Sequence, residues 1–275
     1  MYRHTLAVPL LALALLLPAP APAETPGPPP DPWPKAAAAY LVMVNGAALW
    51  ARSPDLALPP ASLTKIMTAL LALEHWAPDE ILTTSAHAAA ATGSRLGLRA
   101  GDQLSMASAF DAMLVSSAND ACTALAEHVA GSVVEFVRRM NRKARDLRLD
   151  ATRFRNPCGL DAPGHRASAS DLYRLAMLAM EQPEFARAVQ KTGISISTVG
   201  GRRFSRNSSN QLLGRLPGTV GVKSGFTNGA GRCLVALVRR GSDEVAVVLL
   251  DAPDRWWSAS LLVEDAYAAL DASRR

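Results

Sequence analysis

The sequence predicts an α/β (α+β) domain in which one antiparallel sheet is assembled from the two ends of the chain and a helical subdomain is inserted between them. Three observations predict it. Two short apolar runs, 40–44 and 47–50, flank Asn45-Gly46, the strongest two-residue hairpin signal. The middle of the chain carries apolar residues at helical spacing. The last third returns to strand patterns: 194–198 alternates, 220–223 and 233–239 are strand-like, and 244–250 is a continuous apolar run after the turn Gly241-Ser242.

In chain order, Met1-Tyr2-Arg3-His4 is a short positive start, 6–17 is apolar and contains Pro9, and Ala21-Pro22-Ala23 offers a small-x-small cleavage site. This predicts a signal peptide over 1–23 and an exported protein, periplasmic or otherwise extracytoplasmic. The apolar run is too short to span a bilayer, so no stable membrane anchor is expected after cleavage. Residues 24–36 are proline-rich and read as an extended linker. A single domain over 37–272 follows. Pro59-Pro60-Ala61-Ser62 precedes a long apolar helix over 63–76, and further helices are predicted over 105–114, 120–130, 133–147 and 170–180. The final helix, 256–270, carries two acids and no lysine or arginine, as a packing helix would.

Composition removes several classes. Hydrophobic residues at 49% and charged residues at 19% are incompatible with a disordered chain. The net charge of +5 is scattered; its densest groups, Arg138-Arg139, Arg142-Lys143-Arg145 and Arg202-Arg203, lack interleaved aromatics, so no nucleic-acid partner is expected. Three cysteines do not make a disulfide scaffold. Cys122 and Cys233 sit in apolar helix and strand patterns and are expected as core fillers, whereas Cys158 lies in the turn Asn156-Pro157-Cys158-Gly159. There is no Gly-x-Ser-x-Gly elbow, His-Glu-x-x-His, paired Cys-x-x-Cys or phosphate-cradling glycine loop, so neither metal nor cofactor is expected.

Lysine stands out by its scarcity. The 29 basic residues include only Lys35, Lys65, Lys143, Lys191 and Lys223, so lysine is used where arginine could have served. An amine can lose its proton when buried and a guanidinium cannot. Lys65 follows Ser62 by three residues, which places both on one face of a first helical turn. A serine hydroxyl needs a base to become a nucleophile, and a desolvated amine can serve. On this pair alone, a serine cap beside a snorkelling lysine is the favoured reading. Ser117-Ala118-Asn119 adds a hydroxyl and an amide at one turn, although Ser-x-Asn also occurs at 205–207 and 208–210. Lys-[Thr/Ser]-Gly occurs twice. Lys191-Thr192-Gly193 follows a helix-like stretch, 184–190, where Gly193 reads as a terminating glycine. Lys223-Ser224-Gly225 ends a strand, where a cation and a hydroxyl can sit beside an extended peptide paired to the strand edge. Lys223 is therefore preferred and Lys191 read as a surface residue.

Taken together and in order, Pro59-Pro60-Ala61-Ser62-Leu63-Thr64-Lys65-Ile66-Met67-Thr68, Ser116-Ser117-Ala118-Asn119-Asp120-Ala121, Asn156-Pro157-Cys158-Gly159-Leu160-Asp161 and Gly221-Val222-Lys223-Ser224-Gly225-Phe226-Thr227 resemble the penicillin-binding serine D-alanyl-D-alanine carboxypeptidases, the low-molecular-mass penicillin-binding proteins. The resemblance implies a β-lactamase/transpeptidase-like fold and a bacterial wall enzyme. Its substrate would be a peptidoglycan stem peptide ending in D-Ala-D-Ala, and its inhibitors β-lactams. It implies Ser62 as acylated nucleophile, Lys65 as general base, Ser117 as proton relay and Asn119 as holder of the substrate amide. Lys223 and Ser224, with Gly225 and Phe226 on the same strand, would line the substrate, the first two gripping its carboxylate. The backbone N–H groups of Ser62 and Phe226 would form the oxyanion hole.

Departures from the family pattern are Ser224 for the usual threonine, Phe226 where a histidine often stands, Ala118 for glycine, and Cys158 for threonine, serine or histidine, which places Cys158 near the cleft. No β-rich domain or amphipathic tail of the kind many relatives carry is expected beyond the final helix. Three rivals use related residues. A class A β-lactamase needs a Glu-x-x-Leu-Asn loop, which follows none of the glutamates. A D,D-endopeptidase cutting cross-links would use the same residues. A catalytically inactive penicillin-binding wall module predicts damaged motifs, and all three are intact.

Overall fold

The computed structural model describes residue 1 and residues 29–274, so the expected signal peptide, apart from Met1, and the first part of the linker lie outside the described residues. Strand β1 (Ala39–Val44) turns at Asn45-Gly46 into β2 (Ala47–Arg52), as the hairpin signal predicts. Both turn residues have positive φ, 48° and 82°, which asparagine and glycine tolerate best. The C-terminal strands β7 (Thr219–Thr227), β8 (Gly231–Arg240) and β9 (Asp243–Ala252) complete a five-stranded sheet in the order β2-β1-β9-β8-β7. Every neighbouring pair in it is antiparallel. The two ends of the chain thus meet at β1 and β9, and β7 forms the edge.

The sheet is covered on both faces, which explains why the last strands read as continuous apolar runs. Val235, Leu237, Val248 and Leu250 face the helical subdomain. Leu234, Ala236, Val247 and Leu249 face the other way, against Leu262, Val263 and Ala266 of α8 (Arg255–Ser273). Successive residues pointing to opposite faces give this split. Residues 29–36 lie along this second layer: Trp33 donates to Asp265 and packs edge-on against Trp257, and Trp50 donates to the carbonyl of Pro29.

The inserted helices are α1 (Lys65–Leu73), the short α2 (Ala86–Ala89), α3 (Met106–Val115), α4 (Asn119–Ala130), α5 (Val133–Asp146), α6 (Ala169–Met180) and α7 (Pro183–Val189). Ser105, Ser132 and Ser168 cap three of them by accepting from the backbone N–H three residues on. Two expectations need correction. The helix predicted over 63–76 is a 3₁₀ turn over Ala61–Thr64 followed by α1, which ends at Leu73, so Ser62 sits in the tighter turn. The alternating run at 194–198 does not join the main sheet. As β5 (Gly193–Ser197) it pairs only with β6 (Arg203–Asn207), a polar strand that has too few apolar residues to be seen by pattern. A second pair, β3 (Ile81–Thr83) with β4 (Gln103–Ser105), is likewise too short for periodicity to register.

Candidate active site

The 3₁₀ turn, the start of α4, the 156–159 turn and the edge strand β7 converge on Ser62. Lys65 is fully buried at the first position of α1, and its Nζ lies 3.0 Å from Ser62 Oγ, 2.7 Å from Asn119 Oδ1 and 2.6 Å from the Cys158 carbonyl oxygen. Burial first, and the charge of Lys223 second, hold its pKa well below the ordinary lysine value. A neutral amine has two N–H groups and one lone pair. Asn119 Oδ1 and the Cys158 carbonyl can only accept, so they take both N–H groups, and the lone pair is left facing the Ser62 hydroxyl. The arrangement is that of a base aimed at a nucleophile.

Each support has a local cause. Asn119 begins α4; its Nδ2 donates to the Thr92 carbonyl, 2.6 Å, which fixes the amide with Oδ1 towards Lys65. The next residue, Asp120, is fully buried, and its carboxylate accepts from the backbone N–H groups of Leu96, Gly97 and Leu98, drawing that loop over α4. The side-chain oxygen of Asn156 accepts from the N–H groups of Cys158, Gly159 and Leu160, which builds the turn that presents the Cys158 carbonyl. Gly159 has φ +85°, and a Cβ there would stand 1.8 Å from the Ala61 carbonyl oxygen, so only glycine lets this turn reach the 3₁₀ segment. His165 accepts from Arg155 N at Nδ1, and its Nε2–H is thus left to donate to Thr64 Oγ1, 2.9 Å away. Its pKa is lowered to about 4, mainly by burial, so it packs as a neutral ring.

Ser117 is buried and holds a φ of +61°, an uncommon conformation for serine that precedes rather than opens α4. Among the described residues, the partners of Ser62 and Lys65 do not include its hydroxyl.

On the other wall, Lys223, Ser224, Gly225 and Phe226 lie inside β7 rather than at its end, and the turn follows Thr227. Lys223 is buried, donates to the Ser224 carbonyl at 2.9 Å, and has its pKa lowered to about 7 by burial and then by the Arg255 charge. Ser224 Oγ donates to the Ser209 carbonyl, 3.1 Å. A Cβ at Gly225 would come within 2.8 Å of the Ser62 nitrogen, so glycine keeps that N–H open beside the strand. Phe226 is 56% exposed, so the departure there leaves an apolar ring at the rim rather than in the floor. Lys191, the competing lysine, is exposed and pairs with Asp111 at 2.5 Å.

The cysteine expectations divide. Cys233 is a buried free thiol, as expected of a core filler. Cys122 is not: it is disulfide-bonded to Cys158. A fixed pairing between a helix and a turn 36 residues later leaves no local pattern. Cys158 lies at the cleft as expected, but through its carbonyl, its side chain being buried.

Sequence reasoning also missed Arg255, Ser209 and Asp161. Arg255 Nη1 donates to the Gly225 carbonyl at 2.5 Å and sets the charge around Lys223. Asp161 accepts from Thr227 Oγ1 and Gly229 N, tying the β7–β8 turn to the 156–161 segment. Asp161 ends the Asn156-Pro157-Cys158-Gly159-Leu160-Asp161 motif, the one signal that could have found it. A concavity of about 620 Å³ along α5 and 153–155 holds none of these residues. The site instead adjoins one of about 330 Å³ lined by Ala61, Gly159, Asp161, His165 and Gly229.

Comparison with known proteins bears on this arrangement. The profile of the D-alanyl-D-alanine carboxypeptidase family, peptidase family S11, matches residues 28–254. The D-alanyl-D-alanine carboxypeptidase DacF of Bacillus subtilis is 35% identical over 216 residues, 76% of this chain and 55% of the relative. A D-alanyl-D-alanine endopeptidase of Pseudomonas aeruginosa is 33% identical over 214 residues, 76% of this chain and 68% of the relative. The chain therefore spans about half the length of DacF. Among solved structures, penicillin-binding protein D2 of Listeria monocytogenes in its ampicillin-bound form is similar with a TM-score of 0.74 at 30% identity, covering 86% of this chain and 98% of that one. The fold is that of the penicillin-binding transpeptidases, and the chain belongs to the D-alanyl-D-alanine carboxypeptidase family.

Proposed function

We propose that the protein is an exported serine D-Ala-D-Ala carboxypeptidase that removes the terminal D-alanine from peptidoglycan stem peptides through an acyl-enzyme, and that β-lactams acylate the same serine. The observation that carries this reading is the buried Lys65 amine 3.0 Å from Ser62 Oγ, with a second buried lysine, Lys223, on the facing strand. The neutral Lys65 amine takes the proton of Ser62 as Oγ attacks the carbonyl of the D-Ala-D-Ala bond. The oxyanion that forms meets the N–H groups of Ser62 and Phe226. Protonated Lys223 and the Ser224 hydroxyl hold the substrate's terminal carboxylate, Asn119 its amide, and Ser117 passes the proton to the departing amine. Water then hydrolyses the ester and restores Ser62. Family membership supports this reading, as do the motif residues gathered around one serine. Residues 1–23 would direct export, and 37–272 form the catalytic unit.

Intact-mass spectrometry of the mature protein with benzylpenicillin, followed by peptide mapping, tests the acylating serine. A slowly released adduct on Ser62 is expected; unmodified Ser62 with no penicillin consumed would overturn the reading in favour of a wall-binding module. The endopeptidase reading is favoured by one observation, the relative of that name at nearly the same identity as DacF. Release of D-alanine from a pentapeptide monomer against cleavage of a cross-linked dimer separates the two.

A further inference from the structure

We infer that Cys158 is a positioning residue for Lys65, and that the Cys122–Cys158 disulfide is the strap that holds together the two acceptors aiming the amine at Ser62. This inference rests on the proposed role of Lys65 as base. The Lys65 amine points at Ser62 because its two N–H groups are taken by Asn119 Oδ1 at 2.7 Å and by the Cys158 carbonyl at 2.6 Å. Those acceptors belong to separate segments, the start of α4 and the 156–159 turn. Cys122 stands three residues after Asn119 on α4, hence on the same face, and is bonded to the side chain of the very residue whose carbonyl is the second acceptor. The Cys158 carbonyl also lies 3.5 Å from Ser62 Oγ.

Hydrogen bonds already shape this turn. Asn156 Oδ1 organises its N–H groups, and Thr68 Oγ1 donates to the Pro157 carbonyl at 2.6 Å. These contacts join the turn to itself and to α1. Beside apolar packing and the weak approach of the Cys158 sulfur to Thr123 and to the Asn119 carbonyl, the disulfide is the covalent tie between Cys158 and α4. Without it the turn and α4 are free to part, and water reaches the amine. The charged group that faces Lys65 is Lys223 on β7; Asp120 is turned to the 96–98 amides, and neutral His165 is held on Thr64. Among the described residues no carboxylate therefore compensates, and the hydration of Lys65 is governed by how closely its two acceptors shut the pocket.

The test is an NMR titration of the mature protein carrying carbon-13 at the lysine Cε. Only five lysines are present, and Lys65→Arg identifies the resonance of Lys65. Three samples are compared: wild type, the Cys122→Ala/Cys158→Ala double variant, and wild type reduced in its folded state with a phosphine. The third sample serves should the double variant not fold. Loss of the strap is expected to raise the Lys65 midpoint towards the ordinary lysine range by up to about one unit, equivalent to about a tenfold loss of free base at any pH below the midpoint. Cys233→Ala leaves the Lys65 midpoint at its wild-type value. The acid limb of penicillin acylation moves up with Lys65, and the rate recovers at high pH. An unchanged Lys65 midpoint with a lowered melting temperature overturns the inference and leaves the disulfide a purely structural link. Because the titration is read on free protein, failure of penicillin to acylate Ser62 would sink the functional reading while the titration still decides the strap.

Discussion

Lys65 and Lys223 are the same side chain, both buried, one at the start of a helix and the other inside an edge strand, and burial lowers the pKa of each. Their surroundings differ in what they ask of the amine. Lys65 meets two fixed acceptors and a hydroxyl, so the neutral form satisfies every group and points a lone pair at Ser62. Lys223 meets one backbone carbonyl and the charge of Arg255, so its ammonium has N–H groups to spare for an anion that the protein itself does not provide. Burial alone thus does not assign a lysine its role; the number and kind of acceptors around it does. A neutral amine surrounded by acceptors is a base, and a cation short of acceptors is a receptor for a carboxylate.

The sharpest way to break this contrast is to remove the base. Lys65→Ala leaves Ser62 without a proton acceptor among its hydrogen-bond partners other than the Cys158 carbonyl, which is too weakly basic to serve. A loss of about 10⁴-fold in the rate of penicillin acylation is expected, the upper end of what a positioned base contributes, with peptide binding largely kept. Acylation at more than a tenth of the wild-type rate would move the role of base elsewhere. Lys223→Ala should act on the other side of the contrast. The expected result is a rise of about 10²-fold in KM for a peptide ending in a free carboxylate, from the loss of a charged hydrogen bond of about 2–3 kcal/mol, and a far smaller change for its amidated counterpart. Lys191→Ala should change neither, since that lysine is exposed and pairs with Asp111. The reverse pattern would mean the wrong Lys-[Thr/Ser]-Gly had been chosen.

pH separates the two lysines without mutation. In the proposed mechanism Lys65 acts only when deprotonated, so kcat/KM for the carboxylate peptide is expected to rise as pH increases through its lowered pKa. In the same mechanism Lys223 acts only when protonated, so carboxylate binding is expected to weaken as pH increases through about 7. The product is a bell, with Lys65 on the acid limb and Lys223 on the alkaline one. An amidated peptide should keep the acid limb and lose most of the alkaline fall, which amounts to about tenfold per pH unit for a single group. Equal alkaline limbs for the two peptides would remove Lys223 from carboxylate binding.

Much of this arrangement is legible in the sequence because it is local. Ser62 and Lys65 share a turn, Asn45-Gly46 fixes a hairpin, and the strand around Lys223 and the helix before Lys191 are found where their patterns predict them. What is not legible is pairing at a distance. Cys122 reads as a core residue because a disulfide partner in a turn leaves no periodic mark on the helix. Ser209 reaches Ser224, and Arg255 reaches the Gly225 carbonyl, from loops and helix ends whose direction no spacing rule encodes. β6 escapes notice because four of its five residues are polar or charged and only Phe204 is buried. Patterns reveal which face of an element is apolar; which element comes to meet it is a property of the packed whole.

Arg255 gives the smallest expected effect and the finest test of the contrast. It is the second cause of the lowered Lys223 pKa, after burial, and it also anchors β7 through the Gly225 carbonyl. Arg255→Gln removes the charge and keeps a side-chain donor of shorter reach. With the like charge gone, Lys223 holds its proton to higher pH, so the alkaline limb for the carboxylate peptide should move up. The shift should be less than about one unit, under about tenfold in affinity at any one pH, because burial remains the larger cause. Lys65 should respond in the opposite sense and more weakly: a Lys223 that stays protonated longer repels the Lys65 ammonium over a wider range and favours its neutral form. The two limbs should therefore move apart, the alkaline one more than the acid one. If both moved together in the same direction, the cause would be a general change in hydration of the cleft, and the two lysines would not be governed by separate neighbours.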